Sequence, residues 1–174
     1  MRIAGIAAES FIDGPGLRYV IFTQGCPHCC KGCQNPETWD YNGGEQMTVS
    51  ELNRVIKRLA KNNYRGITFS GGEPFLHVEE LSQIAKTAHA MNWDIVTYTG
   101  YDYEDLISDK DKSPLLYSTD ILIDGKYIAE LKDMSVPYIG SKNQRIIDVK
   151  KSLLANSVVL FIQNSQNTKG NQMI

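Results

Sequence analysis

Residues 23–39 read Thr-Gln-Gly-Cys-Pro-His-Cys-Cys-Lys-Gly-Cys-Gln-Asn-Pro-Glu-Thr-Trp and hold all four cysteines of the chain. Within them Cys26, Cys30 and Cys33 are spaced C-x3-C-x2-C. Three thiolates on one short loop can hold three irons of a cubane whose full complement is about four cysteines, which leaves one iron open to an exogenous ligand. An incomplete shell marks a catalytic metal site, since structural sites are closed. Just upstream, Leu17 to Thr23 is a β-branched and aromatic run that reads as a buried strand, entered through the turn-forming Asp13-Gly14-Pro15-Gly16. The cysteine loop therefore starts where a strand ends.

Working outward, strand and helix patterns alternate. Thr48-Val49-Ser50-Glu51 has the form of a capping box, and Val49, Leu52, Val55, Ile56 and Leu59 then recur at helical spacing to about Ala60. Ile67 to Phe69 predicts a second strand, ending in Ser70-Gly71-Gly72-Glu73-Pro74. Val78, Leu81, Ile84, Ala85 and Ala88 predict a second helix. Asp94 to Tyr98 predicts a third strand closed by Thr99-Gly100, and Tyr103 to Ile107 a short helix. Asp120 to Ile123 predicts a fourth strand closed by Asp124-Gly125, Arg145 to Val149 a fifth, Lys150 to Ala155 a helix, and Val158 to Ile162 a sixth strand. This alternation implies an α/β fold with a mostly parallel sheet. Six units are too few to close an eight-stranded barrel, which takes about 250 residues, so the expected form is an open partial (β/α)6-type barrel in a single domain. That domain spans 1–163, followed by a polar tail at 164–174 expected to be disordered.

The 174 residues carry a formal net charge of −2. No block of like charge points to nucleic acid or a membrane surface, and no apolar run reaches the length of about 18 residues that a membrane span needs. The opening residues have no sustained apolar core like that of a signal peptide, so a cytoplasmic location and free thiols are expected. Zinc knuckles draw cysteine pairs from separate turns, whereas Cys29 and Cys30 are adjacent; a non-catalytic zinc-binding module is nevertheless one alternative. Cys29 falls outside the three-cysteine spacing and reads as a free thiol.

The remaining unusual segments all fall at expected strand ends, where α/β folds bind ligands. Gly71 and Gly72 permit positive φ and close approach of a ligand, and Glu73 sets beside them a carboxylate suited to an ammonium group. Thr99 and Gly100 suit a ribose or carboxylate contact. His28, between two cysteines, is an unattractive fourth ligand, because it would close the iron that catalysis needs open. His77 and His89 read as surface or packed residues.

Taken together, Asp13-Gly14-Pro15-Gly16-x-Arg18, Gly25-Cys26-Pro27-His28-x-Cys30-x-Gly32-Cys33-x-Asn35-x-x-x-Trp39, Ser70-Gly71-Gly72-Glu73-Pro74, Tyr98-Thr99-Gly100-Tyr101, Asp124-Gly125 and Gly140-Ser141-x-Asn143-Gln144-Arg145 resemble the radical S-adenosylmethionine (SAM) activases of glycyl-radical enzymes. Within these the sequence is similar to the activating proteins of anaerobic ribonucleoside-triphosphate reductase. The resemblance covers about residues 3 to 162. It implies a [4Fe-4S] cluster on Cys26, Cys30 and Cys33 whose open iron takes the methionine end of SAM, with Gly32, Gln34, Gly71, Gly72, Glu73, Thr99, Gly100 and Asp124 around that cofactor. Many relatives carry an aromatic residue where this chain has Gly32, so the adenine contact falls to backbone or to another residue. The resemblance further implies a one-electron donor such as flavodoxin or ferredoxin, a 5′-deoxyadenosyl radical, and a glycyl radical installed on the glycyl-radical subunit of the reductase. Two enzyme alternatives are an activase of another glycyl-radical enzyme and a small-molecule radical-SAM enzyme such as a deazaguanine synthase.

The C-x3-C-x2-C spacing predicts that Ala at Cys26, Cys30 or Cys33 abolishes the cluster's visible absorption after anaerobic reconstitution, whereas Cys29→Ala retains it. An equal loss in Cys29→Ala and Cys30→Ala removes the assignment.

Overall fold

A computed structural model describes residues 1–59 and 63–162. Seven strands form one mixed sheet: β1 (Arg2–Ser10), β2 (Arg18–Thr23), β3 (Glu45–Gln46), β4 (Gly66–Gly71), β5 (Asp94–Tyr98), β6 (Ile121–Asp124) and β7 (Arg145–Asp148). Their spatial order is β3-β1-β2-β4-β5-β6-β7. The central four, β2, β4, β5 and β6, run parallel. Their connections carry α1 (Val49–Leu59), α2 (Val78–His89), and the pair α3 (Tyr103–Ser108) and α4 (Ser113–Tyr117); α5 (Val149–Ala155) follows β7.

The α/β alternation is thus realised, with differences at both edges. β1 and β7 pair antiparallel with their neighbours, so parallel pairing is confined to the centre where a mostly parallel sheet was expected. β1 has no counterpart in the periodicity reading because its sequence is Ala- and Gly-rich, with low strand propensity, and its register against β2 shifts between Ile3 and Gly5 and again between Ala7 and Ser10. The expected sixth strand at 158–162 makes an isolated bridge, Leu160 to Ile147, instead of a strand. The expected tail at 164–174 and the expected helix end at Ala60 lie outside the described residues.

Strand alternation sends successive side chains to opposite faces. Ile67, Phe69 and Ile95 enter the main core with Leu52 and Ile56 of α1 and Leu81, Ile84 and Ala85 of α2. On the other face Val96, Ile121 and Ile123 form a smaller cluster with Tyr98, Tyr138, Ile139, Ile146 and Phe161. The helices thus cover one side, and the segment between β6 and β7 contributes to the other. α1 starts at the expected capping box: Glu51 N donates to Thr48 Oγ1 at 3.2 Å, and Thr48 N donates to Glu51 Oε2 at 2.8 Å.

One buried ion fixes the strands at the end opposite the cysteine loop. Arg18 has no exposed surface, and all five of its N–H groups have acceptors. Nε donates to Thr68 Oγ1, Nη1 to Pro15 O and Asp94 Oδ1, and Nη2 to Ile67 O and Asp94 O, at 2.6–3.0 Å. These bonds join β2, β4 and β5 to the Asp13–Gly16 turn, where a Cβ on Gly14 would lie 2.9 Å from Arg18 Cδ. The Asp-Gly-Pro-Gly-x-Arg motif is therefore a structural clamp. Arg18→Met should cost about 3–5 kcal/mol, because it leaves buried acceptors without donors. Arg65→Met, which removes the exposed partner of Asp94, should cost less than about 1 kcal/mol. Equal urea midpoints for the two variants would contradict the clamp.

Candidate metal centre and adjoining cavity

The cysteine loop leaves β2 at Thr23 and is closed on itself by backbone and amide bonds. Gly25 N donates to Thr38 O (2.8 Å) and Cys26 N to Trp39 O (3.3 Å), while the buried Gln24 amide donates to Glu37 O and Asp40 O. A short 3-10 helix, Pro36–Thr38, turns the chain back. Cys26, Cys30 and Cys33 are half-buried, whereas Cys29 is exposed, sits in the left-handed region at φ 45 and points its thiol at Cys26 O (3.7 Å).

Burial pushes the Cys26 thiol up to about 11, against the pull of the His28 backbone N–H and with the Glu73 charge acting in the same direction as burial. Cys30 is raised by burial as well, opposed by the Tyr127 backbone N–H. Such thiols give up their protons when a cation takes them as thiolates. Among the described residues no three His, Cys, Asp or Glu side chains converge on one ion position, whereas a cubane takes its thiolates on separate irons. Asn35 N donates to Cys33 Sγ at 3.4 Å, and Trp39, whose buried indole N–H has no partner among the described residues, lines the adjoining cavity. Spread thiols with N–H donors around them fit an iron–sulfur cluster, whose potential is set in part by hydrogen bonds to sulfur.

The Gly71–Glu73 turn closes against this loop from the neighbouring strand. Gly72 N donates to Thr23 O and Glu73 N to Gly25 O, both at 2.8 Å. The approach is so close that a Cβ on Gly72 would lie 2.3 Å from Gly25 O, and Gly71 has φ +91. Glu73 is wholly buried. Its Oε1 accepts from Phe75 N (3.0 Å) and Thr99 Oγ1 (2.9 Å), and its Oε2 accepts from Gly100 N (2.9 Å) and His28 Nε2 (2.9 Å). The carboxylate expected to meet an ammonium is therefore engaged by four protein donors, about all that its lone pairs allow. Thr99 and Gly100 reach the site as expected, with these two donors spent on Glu73.

A cavity of about 750 Å³, within the range of about 300–1,000 Å³ usual for small-molecule sites, is lined by Cys26, Cys30, Cys33, Gln34, Gly71, Gly72, Glu73, Thr99 and Gly100 together with His28, Trp39, Tyr98, Tyr127 and Tyr138. Gly32 and Asp124 are not on its wall. Gly32 packs beside Ala129 and Tyr127. Asp124 is buried, accepts from Tyr103 N (2.9 Å) and is paired with Arg145, which Glu104 also binds; the two carboxylates hold the Arg145 guanidinium well above its ordinary value. The Gly-Ser-x-Asn-Gln-Arg segment continues this brace. Gln144 Oε1 accepts from Gly140 N and Ser141 N while its amide donates to Gly125 O, and Asn143 Nδ2 donates to Lys126 O. These bonds hold the segment that carries Tyr127 and Tyr138 over the cavity. Tyr98, Tyr127 and Tyr138 line the site without having been expected there, and His28 and Trp39 join them from within the cysteine motif. For His28 and Trp39 their places inside that motif were the available signal; the tyrosines carried none.

Residues 12–147 match the family described as 4Fe-4S single cluster domain. The anaerobic ribonucleoside-triphosphate reductase-activating protein of Enterobacteria phage T4 is 36% identical over 140 residues, covering 78% of this chain and 86% of the relative. The protein of the same name from Haemophilus influenzae is 37% identical over 147 residues, covering 78% and 90%. The pyruvate formate-lyase-activating enzyme of Clostridium pasteurianum is 37% identical over 117 residues, covering 63% of this chain and 49% of that enzyme.

The close seat of the turn predicts that Gly72→Ala, which drives a methyl into the Gly25 carbonyl, costs about 1–3 kcal/mol. Gly5→Ala, with nothing within 4 Å, should be near neutral. Thermal melts of the two variants check this, and a neutral Gly72→Ala would contradict the contact.

Proposed function

The chain belongs to the family of anaerobic ribonucleoside-triphosphate reductase-activating proteins, and from that membership we propose that it is a radical-SAM activase that installs a glycyl radical on the anaerobic ribonucleoside-triphosphate reductase. The observation that carries this reading is the meeting of the three-cysteine loop with the Gly71–Glu73 turn at the carboxyl ends of adjacent parallel strands, beside a cavity of cofactor size. Cys26, Cys30 and Cys33 would hold a [4Fe-4S] cluster, and the Gly71–Glu73 turn would receive the methionine end of SAM. Gln34, Thr99 and Gly100 would wall the same cofactor. Gly32 would let the loop pass against Tyr127, and Asp124 would act at one remove, by anchoring the segment that carries Tyr127. With Cys26, Cys30 and Cys33 holding it, a reduced cluster would supply one electron for the reductive cleavage of SAM, the chemistry by which such activases abstract a hydrogen atom from a target glycine.

The protein's share is to orient the cofactor and limit water, since the cofactors carry the difficult chemistry. The sheet would form an open partial barrel with one side of the cavity left for the partner. Phe11 and Ile12 on one loop, 69% and 81% exposed, and Met134 on another, 71% exposed, line that cavity. They offer apolar contacts to a glycine-bearing loop of the reductase, which would complete the exclusion of water that a reactive radical demands. A flavodoxin or ferredoxin would supply the electron. No helix among the described residues is long and apolar enough to cross a membrane, which suits an activase acting on a cytoplasmic enzyme.

The reading is tested by incubating the anaerobically reconstituted chain with reductant, SAM and the reductase. A glycyl-radical doublet in the electron paramagnetic resonance spectrum of the reductase is expected, with none when pyruvate formate-lyase is offered instead. A radical-free reductase while SAM is consumed would overturn the partner, and a doublet only on pyruvate formate-lyase would favour the second named family of relatives.

A further inference from the structure

We infer that His28 is a positioning residue whose imidazole, as the one side-chain donor to Glu73 from the cysteine loop, sets that loop against the Gly71–Glu73 turn and so sets how the cofactor meets the cluster. The inference rests on the reading of function given above and names a residue which that reading leaves without a role.

Its geometry is built from both sides. Glu73 has no exposed surface, and its carboxylate is reached by the turn's own Phe75 N–H, by Thr99 and Gly100 at the end of β5, and by His28 from between Cys26 and Cys30. Of these four donors only His28 belongs to the loop that carries the cluster cysteines, so it is the side chain that ties that loop to the carboxylate, while His77 Nε2 bonds Gln24 O (3.0 Å) farther from the cysteines. The imidazole has little freedom. Its side chain is 7% exposed, its ring meets Tyr101 edge-on at 4.6 Å, and a Cβ on Gly100 would lie 2.4 Å from its Cδ2. Glycine at position 100 is thus what lets the ring reach the carboxylate. A buried charged acceptor that loses a donor is costly, and here the loss falls on the joint between cluster loop and cofactor turn.

Two substitutions separate this role from simple packing. His28→Leu keeps bulk and removes the donor; His28→Gln places an amide N–H at about the reach of Nε2. With the chain reconstituted anaerobically, iron and sulfide content should match wild type in both variants. Equilibrium binding of SAM should weaken by about tenfold or more in His28→Leu, as expected for a lost bond to a charged group, and recover to within a few-fold in His28→Gln. The change that SAM causes in the cluster's electron paramagnetic resonance signal should be altered in His28→Leu and restored in His28→Gln. Wild-type affinity and signal in His28→Leu overturn the inference. So does a His28→Gln that melts like wild type yet fails as badly as His28→Leu, since the donor is then irrelevant. Loss of the cluster from both variants would instead make His28 a ligand and also overturn it. A wild-type chain that binds no SAM refutes the reading of function, and this inference falls with it.

Discussion

The carboxylate of Glu73 is the point on which the site depends. An ionised group without exposure must have its lone pairs filled by donors, or its burial costs several kcal/mol. Here the four donors come from three separate segments: the cysteine loop, the turn that follows β4, and the end of β5. Satisfying the charge therefore requires these segments to be in place together. A buried ion is a poor source of net stability, but it is intolerant of misplacement. The backbone bonds from Gly72 and Glu73 to Thr23 and Gly25 then seal the loop to the turn at a spacing that only glycine at position 72 permits.

Around this centre the sequence motifs divide into frame and site. Arg18, with all five donors engaged, clamps the opposite end of the central strands and explains the Asp-Gly-Pro-Gly turn as its socket. At the cavity end, Asp124, Arg145 and Glu104 form a second ionic brace, and Gln144 and Asn143 hold the chain that walls the cavity. In both, a guanidinium is paired with carboxylates of neighbouring segments. Both keep the cavity wall in register with the strand ends, where the chemistry is proposed to occur.

Much of this was legible in the residues. Strand ends could be placed because apolar runs stop abruptly at Gly-Gly-Glu, Thr-Gly and Asp-Gly, and the Thr48–Glu51 cap marked the start of α1 where the structure has it. The convergence of the cysteine loop with Gly71–Glu73 and Thr99-Gly100 followed from topology alone. β1 escaped because alanine and glycine carry almost no periodic signal, and the antiparallel direction of β7 escaped because a strand's pattern does not state its direction. Asp124 was expected at the cofactor because it ends a strand; its pairing with Arg145, 21 residues on, shows only when the segment between them folds back. His28 lies 45 residues from Glu73, a contact that periodicity cannot show.

In the proposed function three cysteines hold a four-iron cluster and one iron is left for SAM, held beside it by the Gly71–Glu73 turn. The most direct measurement is Mössbauer spectroscopy of the chain reconstituted with enriched iron, recorded with and without SAM. One iron site distinguishable from the rest, with parameters that change when SAM is added, is expected. Iron sites that remain alike and insensitive to SAM, or a protein that takes up zinc in place of iron and sulfide, would contradict it.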